Sequence, residues 1–294
     1  MDCAGELTTI ENRLGRAGGL AALRDSRLCQ PDFPVLGLPV LTRSAALLIP
    51  LLQEGTVDLE LTSSVVALDP AVAFGILQVA NLERNGEGEI WQLPLAVVAA
   101  GCDRLLTMVN CALKVESNYD CGTSSKLRQL YLRCVQTACI SELLTHQLGN
   151  ADPKLSYVAG LLFGLPDMPN PAGAKAPALS LVLRAALSDG LRGIAWSAVA
   201  GRSSAGGEHG PIVASVLLAN SLLDLPEGES PEASQQLQRL AASPLWESWD
   251  DCNGRDRTKI LGQGCKLRKW AAANAPRLSP WEFMAKLHRH KSWE

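Results

Sequence analysis

Segments in which apolar and polar residues alternate, the pattern of a half-buried β-strand, are lacking throughout this 294-residue sequence. Apolar residues instead recur at spacings of three and four, as they do along the buried stripe of an α-helix. With 47% hydrophobic and 19% charged residues, the chain can fill a sizeable core and is not disordered in bulk. The sequence therefore predicts an all-α fold.

Long hydrophobic runs and targeting signals are lacking as well. The longest apolar run, around Ala45 to Leu52, contains Pro50 and is too short to cross a bilayer. The N-terminal residues do not include the basic segment followed by an apolar segment that marks a secretory signal. We therefore expect a soluble cytoplasmic protein with no membrane partner.

The sequence also lacks the short motifs of several enzyme classes. It contains no Gly-x-Ser-x-Gly, no Gly-x-Gly-x-x-Gly and no Gly-x-x-x-x-Gly-Lys-[Ser/Thr] motif, so neither a serine nucleophile nor a glycine-rich nucleotide loop is supported. The nine cysteines form no Cys-x-x-Cys pair and are odd in number. Buried free thiols are therefore favoured over a metal site or a disulfide framework.

Histidine, a common metal ligand, occurs only four times. His146 falls on a predicted helix without a partner, which favours a surface or structural histidine. His209 lies beside Glu208 in a glycine-rich segment, where no second histidine or carboxylate pattern completes a site. His288 and His290 are two residues apart and therefore face different sides of a helix. We expect no metal site and no cofactor.

Helix start and stop signals, by contrast, are plentiful. Asp69-Pro70 and Asp152-Pro153 each place an N-cap before a proline in the first helical turn. Gly149-Asn150 ends a helix whose buried stripe includes Val135, Ala138, Cys139, Leu143 and Leu144. The next predicted helix, Lys154 to Phe163, ends at Gly164.

In their order and spacing, these signals resemble the HDOD domain, a helical relative of the HD metal-dependent phosphohydrolases. The resemblance covers roughly residues 35–165. The residues that carry it are Leu38-Pro39, Asp69-Pro70, Val79-Ala80-Asn81, Ala100-Gly101 and Ala159-Gly160-Leu161-Leu162. We expect structural roles for Asp69, Pro70, Asn81, Gly101 and Gly160. The resemblance implies a bacterial signalling or regulatory module that binds another protein or a small ligand.

The metal-binding positions of HD enzymes are occupied by unsuitable residues in this chain. By the resemblance, those positions correspond to Arg133, Phe163, Gly164 and Asn220. A guanidinium repels a divalent ion, and neither Phe nor Gly offers the carboxylate or imidazole that such an ion needs. The resemblance therefore implies a non-catalytic domain. The four positions are instead a candidate ligand pocket, in which Arg133 would contact the phosphate of a nucleotide-like ligand.

A divergent metal-dependent phosphohydrolase is the enzymatic alternative. It would need three or four convergent His and Asp ligands, which the positions named above do not supply.

A basic, tryptophan-rich C-terminal segment raises a further alternative. Residues 255–294 contain ten Lys and Arg residues against three acidic ones, a net charge of +7, whereas the other residues carry a net charge of −10. The segment from Ser243 on also holds five of the seven tryptophans, at positions 246, 249, 270, 281 and 293. These residues either pack the segment onto the acidic body or bind nucleic acid or another acidic partner.

The sequence predicts three regions. Residues 1–34 form an N-terminal arm, residues 35–225 the HDOD-like helical domain, and residues 226–294 a helical C-terminal extension. Within the extension, Ser230-Pro231 caps one helix and Pro280 begins another that runs to about Lys291. Further helices are predicted over Thr9 to Leu28, where glycines weaken the pattern, and over Ala178 to Leu187.

Overall fold

The computed structural model describes residues 38–53, 58–82, 90–116, 121–149, 151–167, 210–226, 230–249, 254–275, 277–278 and 280–290. Within these ranges the chain forms eleven α-helices and no strand, which confirms the all-α prediction. The helices are α1 Thr42–Gln53, α2 Leu59–Ala67, α3 Pro70–Leu82, α4 Leu93–Ala100, α5 Cys102–Glu116, α6 Cys121–Leu148, α7 Pro153–Phe163, α8 Gly210–Leu223, α9 Pro231–Ala241, α10 Gly254–Asn274 and α11 Pro280–His290.

Most helix boundaries follow the capping signals. Asp58, Asp152 and Ser230 each accept a hydrogen bond from a backbone N–H in the first turn of the helix that follows. Two features were not predicted. Helix α6 begins at Cys121, well before its regular apolar stripe, and α10 spans a charged segment that contains Gly262 and Gly264. The helices predicted over 9–28 and 178–187 lie outside the described residues.

Helix α6 is the central element of the fold. It packs against α7, α8 and α10 on different sides. From Cys134 to Thr145 its side chains are buried almost without interruption. Polar residues on it are therefore enclosed too and find partners inside: the Thr145 hydroxyl lies 2.7 Å from the Ser156 hydroxyl of α7 and 2.8 Å from the Ser215 hydroxyl of α8. These bonds fix the two neighbours against α6.

Gly160 lets α6 and α7 approach closely. A Cβ atom at this position would lie 2.8 Å from the Ala138 Cα atom and 2.9 Å from its backbone nitrogen. Backbone atoms cannot swing aside as a side chain can, so a larger residue would push the helices apart. The glycine in the Ala-Gly-Leu-Leu motif thus has a packing role.

Asp69 ties two helices together from a fully buried position. Its carboxylate accepts hydrogen bonds from the backbone N–H groups of Ala71 and Val72, which begin α3, and from that of Leu41, just before α1. Burial raises the pKa of Asp69 from its usual 3.8 to about 6, because desolvation outweighs these hydrogen bonds. Pro70 occupies the first position of α3, as predicted.

The other two motif residues shape helix ends. The Asn81 side chain donates to the Leu77 and Ile90 carbonyl oxygens at 2.8 and 3.0 Å and accepts from the Ile90 N–H at 2.7 Å. It thereby joins the end of α3 to the chain entering α4. Gly101 has φ +75°, a conformation that favours glycine, and lies between α4 and α5 where the chain bends by 100°.

The C-terminal helices belong to the same hydrophobic core as the rest of the described chain. Trp246 is fully buried and Trp249 nearly so, with ring centroids 5.6 Å apart, and the Arg257 guanidinium lies 5.6 Å from the Trp246 ring centroid. Trp270 stacks against Phe283 at 4.9 Å. For these three tryptophans the structure supports packing; Trp281 and Trp293 are outside the described side chains. The boundary at residue 226 remains a prediction based on the family resemblance.

Among the described helices, none is by itself both long and apolar enough to cross a bilayer. Two sharply bent pairs, Leu59–Ala67 with Pro70–Asn81 and Leu93–Ala100 with Cys102–Leu113, meet the length and composition requirement only when taken together.

The contact at Gly160 gives a first prediction. We expect Gly160→Ala to lower the free energy of unfolding by about 1–3 kcal/mol, the usual cost of overpacking a core. Gly262→Ala is the matched control, because a Cβ there meets nothing within 4 Å and alanine favours a helix. That control should be neutral or stabilising by up to about 1 kcal/mol. Urea unfolding of both variants measures the difference; an equal effect of the two substitutions would contradict the packing role.

Asp69 gives a second prediction, on pH. The folded protein binds the Asp69 proton more tightly than the unfolded chain does. Protonation of Asp69 therefore stabilises the fold, fully below pH 3.8, and this stabilisation is lost as the pH rises through about 6. Asp69→Asn removes the titration. Relative to this variant, the wild type should therefore be more stable near pH 4 than near pH 7. Urea unfolding of both proteins across this pH range measures the difference in their free energies of unfolding. A difference that does not change with pH would show that burial does not raise the pKa of Asp69.

Candidate functional site

Arg133 and Asn220, predicted to occupy equivalent metal-binding positions on different helices, are in direct contact. Arg133 on α6 donates through Nη2 to the Asn220 Oδ1 atom of α8 at 2.8 Å. The same nitrogen lies 2.7 Å from the Asp224 Oδ1 atom, which follows the end of α8. The Arg133 side chain is 41% exposed and that of Asp224 60% exposed. The Asn220 Oδ1 and Asp224 Oδ1 atoms therefore both accept hydrogen bonds from the Arg133 guanidinium.

Gly164 lies beside the same part of α6, where a larger residue would require the neighbouring side chains to shift. A Cβ atom there would be 2.8 Å from the Cys134 Sγ atom and 3.4 Å from the Leu130 Cδ1 atom. Phe163 points elsewhere: it packs on a small apolar cluster that includes Ala159 and Ile212. Of the four predicted positions, Arg133 and Asn220 are in contact. Gly164 lies close to α6, and Phe163 packs in the apolar cluster.

The donors at this position suit a guanidinium better than a metal ion. Asn220 and Asp224 each offer an oxygen, and Arg133 binds both. The nearby Cys134 thiol is buried, which raises its pKa to about 12 and keeps it protonated. Within the described part of the chain, no group of three or more His, Cys, Asp or Glu side chains could hold a metal.

The remaining histidine candidates do not add to the site. His146 is exposed near the end of α6, away from the buried part of the helix, as a surface histidine would be. His209 lies outside the described residues, and the side chains of His288 and His290 are not described either.

Arg133 lines a cleft with a volume of about 1270 Å³. One wall is the exposed face of α6, and the other walls are the end of α8, helix α9 and helix α10. The charged residues that line it are Lys126, Arg133, Arg268 and Lys269 on the basic side and Asp167 on the acidic side. Of the four positions predicted as a ligand pocket, Arg133 lines this cleft, whereas Phe163, Gly164 and Asn220 are not among its lining residues. The other walls come largely from α9 and α10.

Arg268 is the site residue that sequence reasoning missed. Its Nη1 atom donates to the carbonyl oxygens of Leu222 and Leu225 at 3.0 and 2.9 Å, which satisfies acceptors at the C-terminus of α8. Helix α10 comes close enough because Gly264 faces α8: a Cβ there would lie 2.8 Å from the Leu222 Cδ1 atom. The signal available in the sequence was Gly264, which precedes Lys266, Arg268 and Lys269. From the sequence alone, this glycine predicts an interrupted helix.

Comparison with known proteins agrees with this architecture. A crystal structure of the MmoQ response regulator from Methylococcus capsulatus str. Bath superposes with a TM-score of 0.52 at 18% identity, covering 76% of this chain and 97% of that one. A fragment of the same regulator gives a TM-score of 0.50 at 18% identity, with 72% and 94% covered. At this identity the likeness shows a shared fold. No protein of curated function matches the sequence significantly.

The family comparison is more specific than the structural one. The HDOD domain profile matches residues 38–168, the range that contains all five structural motif residues together with Arg133, Phe163 and Gly164. Four of those motif residues perform the capping, bridging and packing roles described above, and Pro70 begins α3. Residues 38–168 of this chain are an HDOD domain.

Proposed function

We propose that the protein is a non-catalytic signalling or regulatory module of the bacterial cytoplasm, which acts by binding another protein or a small ligand on a degenerate HD scaffold. The observation that carries the proposal is the Arg133 guanidinium, bound to Asn220 and Asp224 where an HD enzyme would bind its metals. The HDOD domain and the likeness to a protein described as a response regulator support the signalling role.

The guanidinium argues against hydrolysis on electrostatic grounds. A metal-dependent phosphohydrolase uses divalent ions to polarise the phosphoryl oxygen and to generate hydroxide from bound water. Arginine remains protonated and offers donors only, so it can neither coordinate an ion nor accept a proton from water. Gly164 has no side chain and therefore offers no ligand to a metal.

Nucleic-acid binding through residues 255–294 is the alternative, and the described tryptophans weigh against it. Base stacking requires accessible aromatic rings. Trp246 and Trp249 are buried, and Trp270 is partly buried against Phe283. Several cations of α10 remain exposed, among them Lys259, Lys266 and Lys269, and these provide an electrostatic surface without a stacking platform.

A turnover assay tests the non-catalytic assignment. We expect the full chain, supplied with Mn²⁺ or Mg²⁺, to hydrolyse bis-p-nitrophenyl phosphate and cyclic dinucleotides no faster than the metal ions alone. A double variant, Asn220→Ala with Asp224→Ala, serves as the matched control because it removes the oxygen donors beside Arg133. Metal-stimulated hydrolysis by the wild type that disappears in the double variant would establish the enzymatic alternative and contradict the proposal.

A further inference from the structure

The cleft beside Arg133 combines a group of basic side chains with a group of apolar ones. It is shared between α6 of the HDOD domain and α9 and α10 of the C-terminal extension. Its volume of about 1270 Å³ exceeds that of the usual small-molecule pocket, which is about 300–1,000 Å³. A ligand held here would therefore contact both parts of the chain at once.

The charge of the lining favours an anion. Lys126 and Lys269 line the cleft and are exposed. Arg268 donates to backbone carbonyls, which carry only partial negative charges, so part of its positive charge remains. Arg133 is partly offset by Asp224, and Asp167 is the acidic residue of the lining. The balance remains positive.

Arg268 also removes an obstacle to an anion. The C-terminus of a helix presents carbonyl oxygens with a partial negative charge, and the end of α8 faces this cleft. By binding the Leu222 and Leu225 carbonyl oxygens, Arg268 offsets the charge that would otherwise repel a phosphate. Arg268 thus both holds the end of α8 in place and makes the cleft more favourable for an anion.

Much of the remaining lining is apolar, and Gln129, Gln136 and Ser234 are its uncharged polar residues. Leu130, Leu132, Leu223, Leu225, Pro226 and Leu237 line the cleft alongside the cations. Such side chains provide a surface for a flat, weakly polar ring rather than for a bare inorganic anion. A cation-rich region and an apolar wall in one cleft match a molecule that has a phosphate at one end and a heterocycle at the other.

We propose that this cleft binds a nucleotide, with Lys126, Arg268 and Lys269 holding the phosphates and the leucine-rich wall holding the base. The inference rests on the proposed function, since it names the class of small ligand that the regulatory module would recognise. It also assigns the C-terminal extension a part in ligand binding in addition to its packing role.

Fluorescence anisotropy of N-methylanthraniloyl-labelled ATP and GTP with the full chain tests the proposal. We expect saturable binding that weakens as salt is added, because charge contacts are screened. Lys126→Glu with Lys269→Glu should weaken binding by about tenfold or more, because the two substitutions remove charge-assisted hydrogen bonds to the phosphates and place negative charges beside them. Inorganic pyrophosphate should compete less well than unlabelled nucleotide, because it lacks the base.

Lys259→Glu is the matched control. Lys259 is an exposed lysine on the same helix, α10, but it does not line the cleft. Its reversal should leave binding within about twofold, as surface substitutions usually do. Circular dichroism melts confirm that all variants are folded, which is expected because the three lysines are exposed.

Four results would overturn the proposal: no saturable nucleotide binding by the native protein, no loss in the double variant, an equal loss in Lys259→Glu, or stronger competition by a single-stranded oligonucleotide than by free nucleotide. The last result would assign the surface to nucleic acid. Recovery of the nucleotide by chromatography separates this inference from the proposed function: a nucleotide that binds in the cleft but is hydrolysed would contradict the non-catalytic role and leave the binding site in place.

Discussion

The enclosure of α6 is the constraint on which the rest of the structure depends. A helix buried on all sides between residues 134 and 145 must satisfy its polar groups internally and must meet its neighbours at close range. Gly160 allows α6 and α7 to approach closely, and the Thr145 hydroxyl forms hydrogen bonds with Ser156 and Ser215 inside the core. Helices α7, α8 and α10 are then held in fixed positions around it.

The candidate site lies where α6 passes from the buried core to the protein surface. Residues 134 and 135 are buried, whereas Arg128, Gln129 and Arg133 retain exposure, so Arg133 lies at the edge between the two environments. This position explains how a guanidinium can be tolerated: it reaches Asn220 and Asp224 while part of its side chain stays in solvent. A pair with this exposure contributes little to stability, about 0–1 kcal/mol. Its consequence is local: the Asn220 and Asp224 oxygen atoms accept hydrogen bonds from Arg133.

The sequence predicted what local rules determine. Caps such as Asp58, Asp69 and Asp152 act within a few residues, so their helices could be placed before the structure was known. The family pattern assigned Asn220 and Arg133 to metal-binding positions, and the two side chains are in contact.

The remaining features depend on contacts between distant segments. In sequence, Gly262 and Gly264 disfavour a helix, yet packing against α6 and α8 stabilises α10 there. The sequence left open whether this basic, tryptophan-rich segment packs onto the body or binds an acidic partner. Trp246, Trp249 and Arg268 contribute to the packing of the fold. Phe163 was predicted at a site and is part of an apolar cluster, because its neighbours come from α8, which follows in sequence only from residue 210.

The most direct test of the account is a crystal of the full chain soaked in Mn²⁺, with anomalous scattering recorded at the manganese edge. The account predicts no anomalous peak between α6 and α8, with density for the Arg133 guanidinium against Asn220 and Asp224. A peak within about 2.2 Å of the Asn220 and Asp224 oxygens, with Arg133 displaced, would show that the site still binds metal and would contradict the central claim.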